Sequence, residues 1–376
     1  MPFGTGKATL EMTGEHNRNL ILQLLRRYGQ LSRQQLSDMT TLHRSTLSKI
    51  MSEFLDRDLV RVVGKIEPAV KRVGKKQILL RIREDVGWAL GIGLNWEWVN
   101  MVILDAAGRL VAQSRVHLGR DLARLPQVAK AHLDSWLRDR GRPAGKALGV
   151  GVGIPGVVDI EKGTVVLSDF FKVQNCPLAL QLSEALGLPV SIDNDVRLEA
   201  MAQLNQPNET GTGDFIFFHT NYSPVETGYV IYSFGSAIVI DGHLHRGSHY
   251  GAGELWGLLQ PPQTNVVTEE DLTRLNSESA PLTENLCKVV EFVAPYLATV
   301  AGFVDPRRII MGGAMHWRNR AVLERLEARV NDLLQPAIPN RRIEVQSTLF
   351  PGQETAYGAA LLALAHVPVS KLRGPK

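Results

Sequence analysis

Six polar residues in one short window carry the chemistry of nucleic-acid reading: His43, Arg44, Ser45, Thr46, Ser48 and Lys49. The apolar residues among and after them, Leu47, Ile50, Met51, Phe54 and Leu55, recur at helical spacing over about residues 43–56. The polar set therefore falls on the exposed face, near the start of the helix. Arg44 can fork onto a guanine edge, and Ser45 and Thr46 can donate to a phosphate or a base. Farther along, Lys71, Arg72, Lys75 and Lys76 crowd residues 65–76, where they would hold backbone phosphates or reach the minor groove with strong salt dependence. A second constellation is Asp193-Asn194-Asp195, whose amide both donates and accepts. Val196 onward reads as helix, so the same residues serve as an N-cap, a role compatible with ligand contact. A third, His243, His245 and His249, could in principle ligate a metal. No cysteine or nearby acidic pair completes that site, a hairpin with a polar loop explains it as well, and no metal is expected.

The elements that position the basic face are legible. Leu20, Ile21, Leu24 and Leu25 mark a helix over residues 16–28, closed by Gly29. Ser32 is a good N-cap for a short second helix with Leu36 and Met39 inward, and Thr40-Thr41 mark a turn. Leu59, Val60, Val62 and Val63 predict a strand, Ile78, Leu79 and Leu80 its return partner, and the basic stretch becomes a hairpin tip. Three helices and a basic hairpin over residues 1–85 make a winged helix-turn-helix whose third helix would enter the major groove. The competing reading is a small protein-interaction domain. One such head binds DNA weakly, so a homodimer or dimer of dimers on a palindromic double-stranded operator is expected.

Charge supports this division. The net charge is +4, but residues 1–85 carry 16 Lys+Arg against 9 Asp+Glu, while the remainder carries 26 against 29. A basic head on a mildly acidic body is the footprint of a DNA reader with a separate sensing part. At 376 residues, 44% hydrophobic and 21% charged, the chain has the composition of a soluble protein of two or three domains. No apolar run approaches the ~20 residues that cross a bilayer, and residues 1–19 lack an apolar signal core. A cytoplasmic location without membrane contact is expected, and two cysteines 111 positions apart, Cys176 and Cys287, fit a reduced compartment.

Behind the head, β-branched stretches alternate with helical ones. Residues 88–104 lead through Asp105-Ala-Ala-Gly into a hairpin, and Leu148-Gly-Val-Gly-Val-Gly-Ile-Pro-Gly is a buried strand running into a glycine turn. Residues 178–186, 286–303 and 321–334 read as helices; 190–193, 215–218 and 229–240 read as strands. This alternation predicts an α/β body with a largely parallel or mixed sheet, whose ligand lies at strand ends.

An ordered set of short motifs adds to this. Asn17-Arg-Asn-Leu-Ile-Leu-Gln-Leu-Leu-Arg-Arg-Tyr-Gly, Gly153-Ile-Pro-Gly-Val-Val-Asp, Asn194-Asp195, Ile238-Val-Ile-Asp-Gly-His-Leu-His-Arg-Gly, Gly251-Ala-Gly-Glu254, Asp305-Pro, Gly312-Gly313 and Gly358-Ala-Ala follow one another over residues 15–365. Each is weak alone; in this order the chain resembles the ROK family of repressors and sugar kinases. The resemblance implies a two-lobed actin-like ATPase body, each lobe on a five-stranded sheet: residues 86–196, then 197–376 with the dimerisation surface and a C-terminal helix returning to the first lobe. It places Asp195 at the family's catalytic base, where a regulator can still hydrogen-bond a sugar hydroxyl, beside Asn194. It matches Glu254 to the Glu that contacts the anomeric end of the sugar.

The same comparison exposes losses. Where the family carries Asp-x-Gly-x-Thr for phosphate, this chain reads Gly91-Ile-Gly-Leu-Asn-Trp-Glu-Trp-Val, putting Gly93 for the acid, Asn95 or Trp96 for the close-approach glycine and Glu97 for the Thr, so that Trp96 would obstruct a phosphate and Glu97 repel one. Where the family carries Gly-Thr-Gly-x-Gly, Ile231-Tyr-Ser-Phe-Gly is aligned, leaving Gly235 and adding the bulk of Tyr232. The family's next His is Gly257, and its zinc-binding cysteine cluster is absent from residues 258–265. The expectation is a sugar-responsive DNA-binding regulator of repressor type, without catalytic residues or cofactor. The alternatives are an ATP-dependent sugar kinase with a DNA-binding head and a regulator controlled by a protein partner.

Overall fold

The computed structural model describes residues 6–66, 77–95, 98–139, 141, 143–206, 213–255, 266–313, 315–336, 339–350 and 352–374. The head opens with α1 (Gly6–Tyr28), ten residues longer at its start than the apolar stripe indicates. It continues through β1 (Leu31–Ser32), α2 (Arg33–Met39), α3 (Arg44–Asp56), β2 (Val60–Ile66) and β3 (Gln77–Ile82). Ser32 caps α2 in a reciprocal box with Gln35, which satisfies two end N–H groups at once. Leu47, Ile50, Met51 and Phe54 of α3 are buried. β2 and β3 pair antiparallel, and β1 adds a third strand.

The first lobe contains β4 (Gly87–Asn95), β5 (Trp98–Asp105), β6 (Leu110–His117), α4 (Leu125–Asp139), β7 (Lys146–Ile154), β8 (Val157–Asp159), β9 (Thr164–Ser168), β10 (Val173–Cys176), α5 (Leu178–Leu186) and β11 (Val190–Asn194). Helix α6 (Asp195–Leu204) crosses to the second lobe: β12 (Phe215–Val225), β13 (Gly228–Ile240), β14 (His243–His245), β15 (Val266–Val267), α7 (Glu269–Leu275), α8 (Glu284–Val304), β16 (Arg308–Gly313), α9 (Arg320–Leu334) and β17 (Glu344–Ser347). Helix α10 (Glu354–His366) returns to the first lobe, followed by a short turn over Val369–Lys371.

The two lobes repeat one topology. The first sheet has order β11-β7-β4-β5-β6, an antiparallel meander extended by parallel β7 and β11. The second has order β14-β13-β12-β16-β17, again a meander extended by two parallel strands. The expected five strands per lobe hold for the first. The second gains a sixth, two-residue β15 beside β13.

Helix α8 is long and apolar enough to cross a membrane by length and composition, contrary to the sequence expectation. One face, Leu286, Val289, Val290, Val293, Leu297 and Ala301, fills the core of the second lobe. Glu284 and Lys288 pair on its outer face. These features make it a core helix.

The head shares its core with the first lobe. Ile21, Leu25, Leu36, Leu47, Met51 and Phe54 form one buried cluster with Ala89, Val102, Leu104, Ala360, Leu364, Val369 and Leu372. Buried Arg26 donates to the Ala106 carbonyl at 3.0 Å. Helix α10 lies on β4 and β7 with almost no space between backbones. A Cβ on Gly91 would sit 1.9 Å from the Ala356 carbonyl, and one on Gly151 would sit 1.7 Å from that of Ala359. The glycines of these strands thus admit a helix.

Candidate functional site

The site forms where β11 ends and α6 begins. Asn194 caps α6, its Oδ1 accepting from the Arg197 N–H at 3.0 Å. Its Nδ2 donates to the Gly156 carbonyl at 3.0 Å and to Glu254 Oε1 at 3.2 Å. Asp195, the first residue of α6, is buried beside them. The structure therefore brings together Asn194, Asp195 and Glu254, the three residues singled out for polyol contact. Burial pushes the Asp195 carboxyl up to about 6, with Glu199 adding to the effect and His219 opposing it. Burial, then the charge of Asp195, pushes Glu254 up to about 7. Two carboxyls that are neutral or ionised near neutral pH can both donate to and accept from hydroxyls.

A buried ion cluster underlies this corner. Fully buried Asp193 accepts at Oδ1 from Arg197 Nε at 2.7 Å. Its Oδ2 accepts from Arg246 at 3.0 Å and 3.2 Å. Arg197 Nη1 donates to the Tyr250 carbonyl at 2.8 Å. Arg246 follows β14, so this cluster ties the second lobe to the end of the first sheet. Sequence reasoning missed it. The i,i+4 spacing of Asp193 and Arg197 was visible, whereas Arg246 lies 53 positions away.

On the other side of Asp195 lies a second polar network. His219 of β12 bonds Glu199 of α6 at 2.7 Å through Nδ1 and Asn221 at 3.0 Å through Nε2. Thr355 of α10 donates to the other Glu199 oxygen at 2.9 Å. Burial alone would lower His219, but Glu199, and Asp195 behind it, hold it up to about 10, so the ring donates from both nitrogens. Glu354 is buried nearby, and burial followed by the charge of Glu199 pushes it up to about 8. Its Oε1 has no partner among the described residues. One protonated histidine faces three carboxyls here.

The pH dependence follows. Asp195, Glu254, Glu354 and His219 all bind a proton more tightly folded than unfolded. The stability they supply is full below the ordinary carboxylate range and is lost as pH rises through about 6, 7, 8 and 10 in turn. Thermal unfolding is expected to show a midpoint that falls between pH 5 and pH 9. Glu354→Gln should flatten the upper part of that fall. A midpoint that rises across this range would contradict the assignment.

Two phosphate-loop expectations meet the structure differently. At the first, Asn95 pairs with Trp98, and Trp96 and Glu97 lie outside the described residues. Gly93 has its own reason to lack a side chain, since a Cβ there would sit 2.7 Å from the Ala356 nitrogen. At the second, residues 231–235 lie in the middle of β13, within the strand expected over 229–240, paired with β12 through Asn221–Ser233 and His219–Gly235. The hairpin tip is Glu226-Thr227, after an irregularity at Tyr222 that shifts the register by one residue. Gly312 has a packing reason to lack a side chain. A Cβ on Gly312 would strike the Phe217 ring at 2.3 Å, and buried Trp317 donates to Thr220 at 2.8 Å behind it.

A sequence profile of the ROK family matches residues 90–266 and 259–366. The chain belongs to the ROK family. Among curated ROK relatives, the xylose repressor of Caldicellulosiruptor bescii is 25% identical over 241 residues, covering 64% of this chain but only 57% of that protein. The DNA-binding transcriptional repressor Mlc of Escherichia coli is 23% identical over 387 residues, covering 94% of each. Among solved structures, a ROK family transcriptional regulator homologous to E. coli Mlc superposes with TM-score 0.63 at 17% identity, covering 93% of this chain and 96% of that one. A ROK family glucokinase from Streptomyces griseus, in complex with glucose and AMPPNP, gives 0.58 at 18% identity, covering 73% and 99%. These likenesses establish the fold.

In this ROK chain the polar face of α3 points outward. His43, Arg44, Ser45, Ser48 and Lys49 are exposed and Thr46 is half-buried. His43 stands at the N-cap of α3, so the helix proper begins one residue later than the spacing suggests. Among the described residues none of these side chains is held in an ion pair. Lys71, Arg72, Lys75 and Lys76 lie outside the described residues. His243 of the histidine group bonds the Asp241 carbonyl at 2.8 Å, and both cysteines are free thiols.

Proposed function

We propose that this chain is a DNA-binding transcription regulator of repressor type. An unphosphorylated sugar in the interlobe cleft governs its hold on an operator, and the chain transfers no phosphate. One observation supports this reading: Asn194, Asp195 and Glu254, polar groups suited to hydroxyls, lie together at the start of α6, with Glu199, His219 and Glu354 buried beside them. The names of the xylose repressors, Mlc and NagC among the relatives support it. In this reading Arg44 and Lys49 meet DNA, Lys71, Arg72, Lys75 and Lys76 add phosphate contacts, and two copies span a palindromic site. The sugar shifts operator affinity only through a difference in its own affinity between two lobe arrangements.

The test is fluorescence anisotropy on duplexes selected by the protein from a random pool. Arg44→Ala is expected to weaken the selected duplex about 5- to 150-fold, the ~1–3 kcal/mol of a bidentate base contact, and to relax preference at one base position. Equal affinity and preference in that variant would remove α3 as the reader. Retained Asp195 motivates one second reading, an ATP-dependent sugar kinase. A coupled ADP-release assay across D-xylose, D-glucose and N-acetyl-D-glucosamine is expected to stay at background, and turnover there would overturn the proposal.

A further inference from the structure

The last residues of the chain form a strap that leads from the cleft to the back of the reading helix. Helix α10 starts at Glu354 and Thr355, inside the network around Glu199. It crosses α6 with backbones in contact: a Cβ on Gly358 would sit 1.9 Å from the Leu198 carbonyl. Since α6 begins at Asn194 and Asp195, the site and α10 share one rigid crossing. Beyond His366 the chain runs under the head. Lys146 Nζ donates to the Lys371 carbonyl at 3.0 Å, holding the strap to the first lobe. The Val369 N–H donates to Glu15 of α1.

The strap then meets Arg57, the C-cap of α3. Arg57 Nη2 donates to the carbonyls of Ser370 and, at 2.9 Å, Leu372. The Gly374 N–H returns a bond to the Arg57 carbonyl at 3.0 Å. Arg57 Nη1 also pairs with Glu53 at 3.1 Å, and Arg18 of α1 takes the other Glu53 oxygen at 2.9 Å. One guanidinium therefore joins the helix that reads DNA, through Glu53 the helix α1, and the strap from the cleft.

We infer that Arg57 is a positioning residue for regulation: through the strap it makes the angle of α3 follow α10, and so passes occupancy of the cleft to the operator. This rests on the sugar-responsive reading above. Shared apolar packing alone would seat the head but leave α3 indifferent to α10. Two bonds to carbonyls and one to the Glu53 carboxylate, all from one planar fork, fix an orientation, which a lysine at the same place cannot reproduce.

The experiment uses the full chain and whichever of D-xylose, D-glucose or N-acetyl-D-glucosamine raises its melting temperature. Operator Kd is measured with and without saturating sugar for wild type, Arg57→Ala and Arg57→Lys. Expected are sugar Kd values within about twofold of wild type in both variants. Operator affinity without sugar should change less than about fivefold. The ratio of operator Kd values with and without sugar should collapse to within about twofold of unity in Arg57→Ala and recover only in part in Arg57→Lys. Hydrogen exchange of residues 44–57, altered by sugar in wild type, should become insensitive to it in Arg57→Ala. A wild-type ratio preserved in Arg57→Ala overturns the inference and leaves the sugar reading standing. A wild type whose operator affinity ignores every sugar overturns both.

Discussion

Asp195→Ala is expected to lose the sugar response altogether while keeping operator binding. The carboxylate stands at the start of α6, nine-tenths buried, with Asn194 and Glu254 beside it. A hydrogen bond between a hydroxyl and a charged group contributes about 1.5–3 kcal/mol, so sugar affinity should fall on the order of 10- to 150-fold. Calorimetric titration checks this, and a gel shift with and without sugar checks the response. The variant should be as stable as wild type at pH 8 or more so, because it removes a carboxyl whose ionisation burial opposes. That control separates a lost contact from a lost fold. An unchanged response in the variant would move the ligand away from this corner.

Asp193→Ala should produce the largest loss of stability. Its carboxylate is fully buried and neutralises Arg197, also buried, and Arg246. Removing it leaves Arg197 charged, out of water and with only its bond to Tyr250. Breaking a buried pair in this way costs about 3–5 kcal/mol, so the unfolding midpoint should drop on the order of 10 °C. Arg246→Ala should cost markedly less. Its side chain is only partly buried, and Arg197 would still balance Asp193. Equal losses for the two variants would show that the cluster acts through Arg246 and the joint between lobes rather than through the buried charge.

The legible parts of this molecule are those whose signal is local. The helices and strands of the head followed from periodicity. The N-cap at Ser32 followed from one side chain, and the cap at Asn194 followed from three adjacent letters before a helix. The lobes followed from the order of motifs. What escaped is assembled from far-apart segments. Glu199, His219 and Glu354 come from α6, β12 and α10, and no spacing in the chain announces that they meet. The strand over 229–240 was legible, but its register was not: register is set by pairing with β12, and the irregularity at Tyr222 slides it by one residue. The repeated glycines of β4 and β7 invite a phosphate reading, yet their neighbour is α10.

The cluster that joins the head to β4, β5 and α10 bears on how such proteins can be re-engineered. Transplanting residues 1–85 onto another body would tear Ile21, Leu25 and Phe54 from the strand and helix residues that complete their packing. It would also leave Arg57 without its carbonyls. A working chimera must carry the seat with the rider: the matching face of the first sheet and the strap over residues 367–374 travel with the head, or the hybrid loses its fit. Diversification of binding preference is then easiest where nothing below is disturbed, at the outward letters of α3.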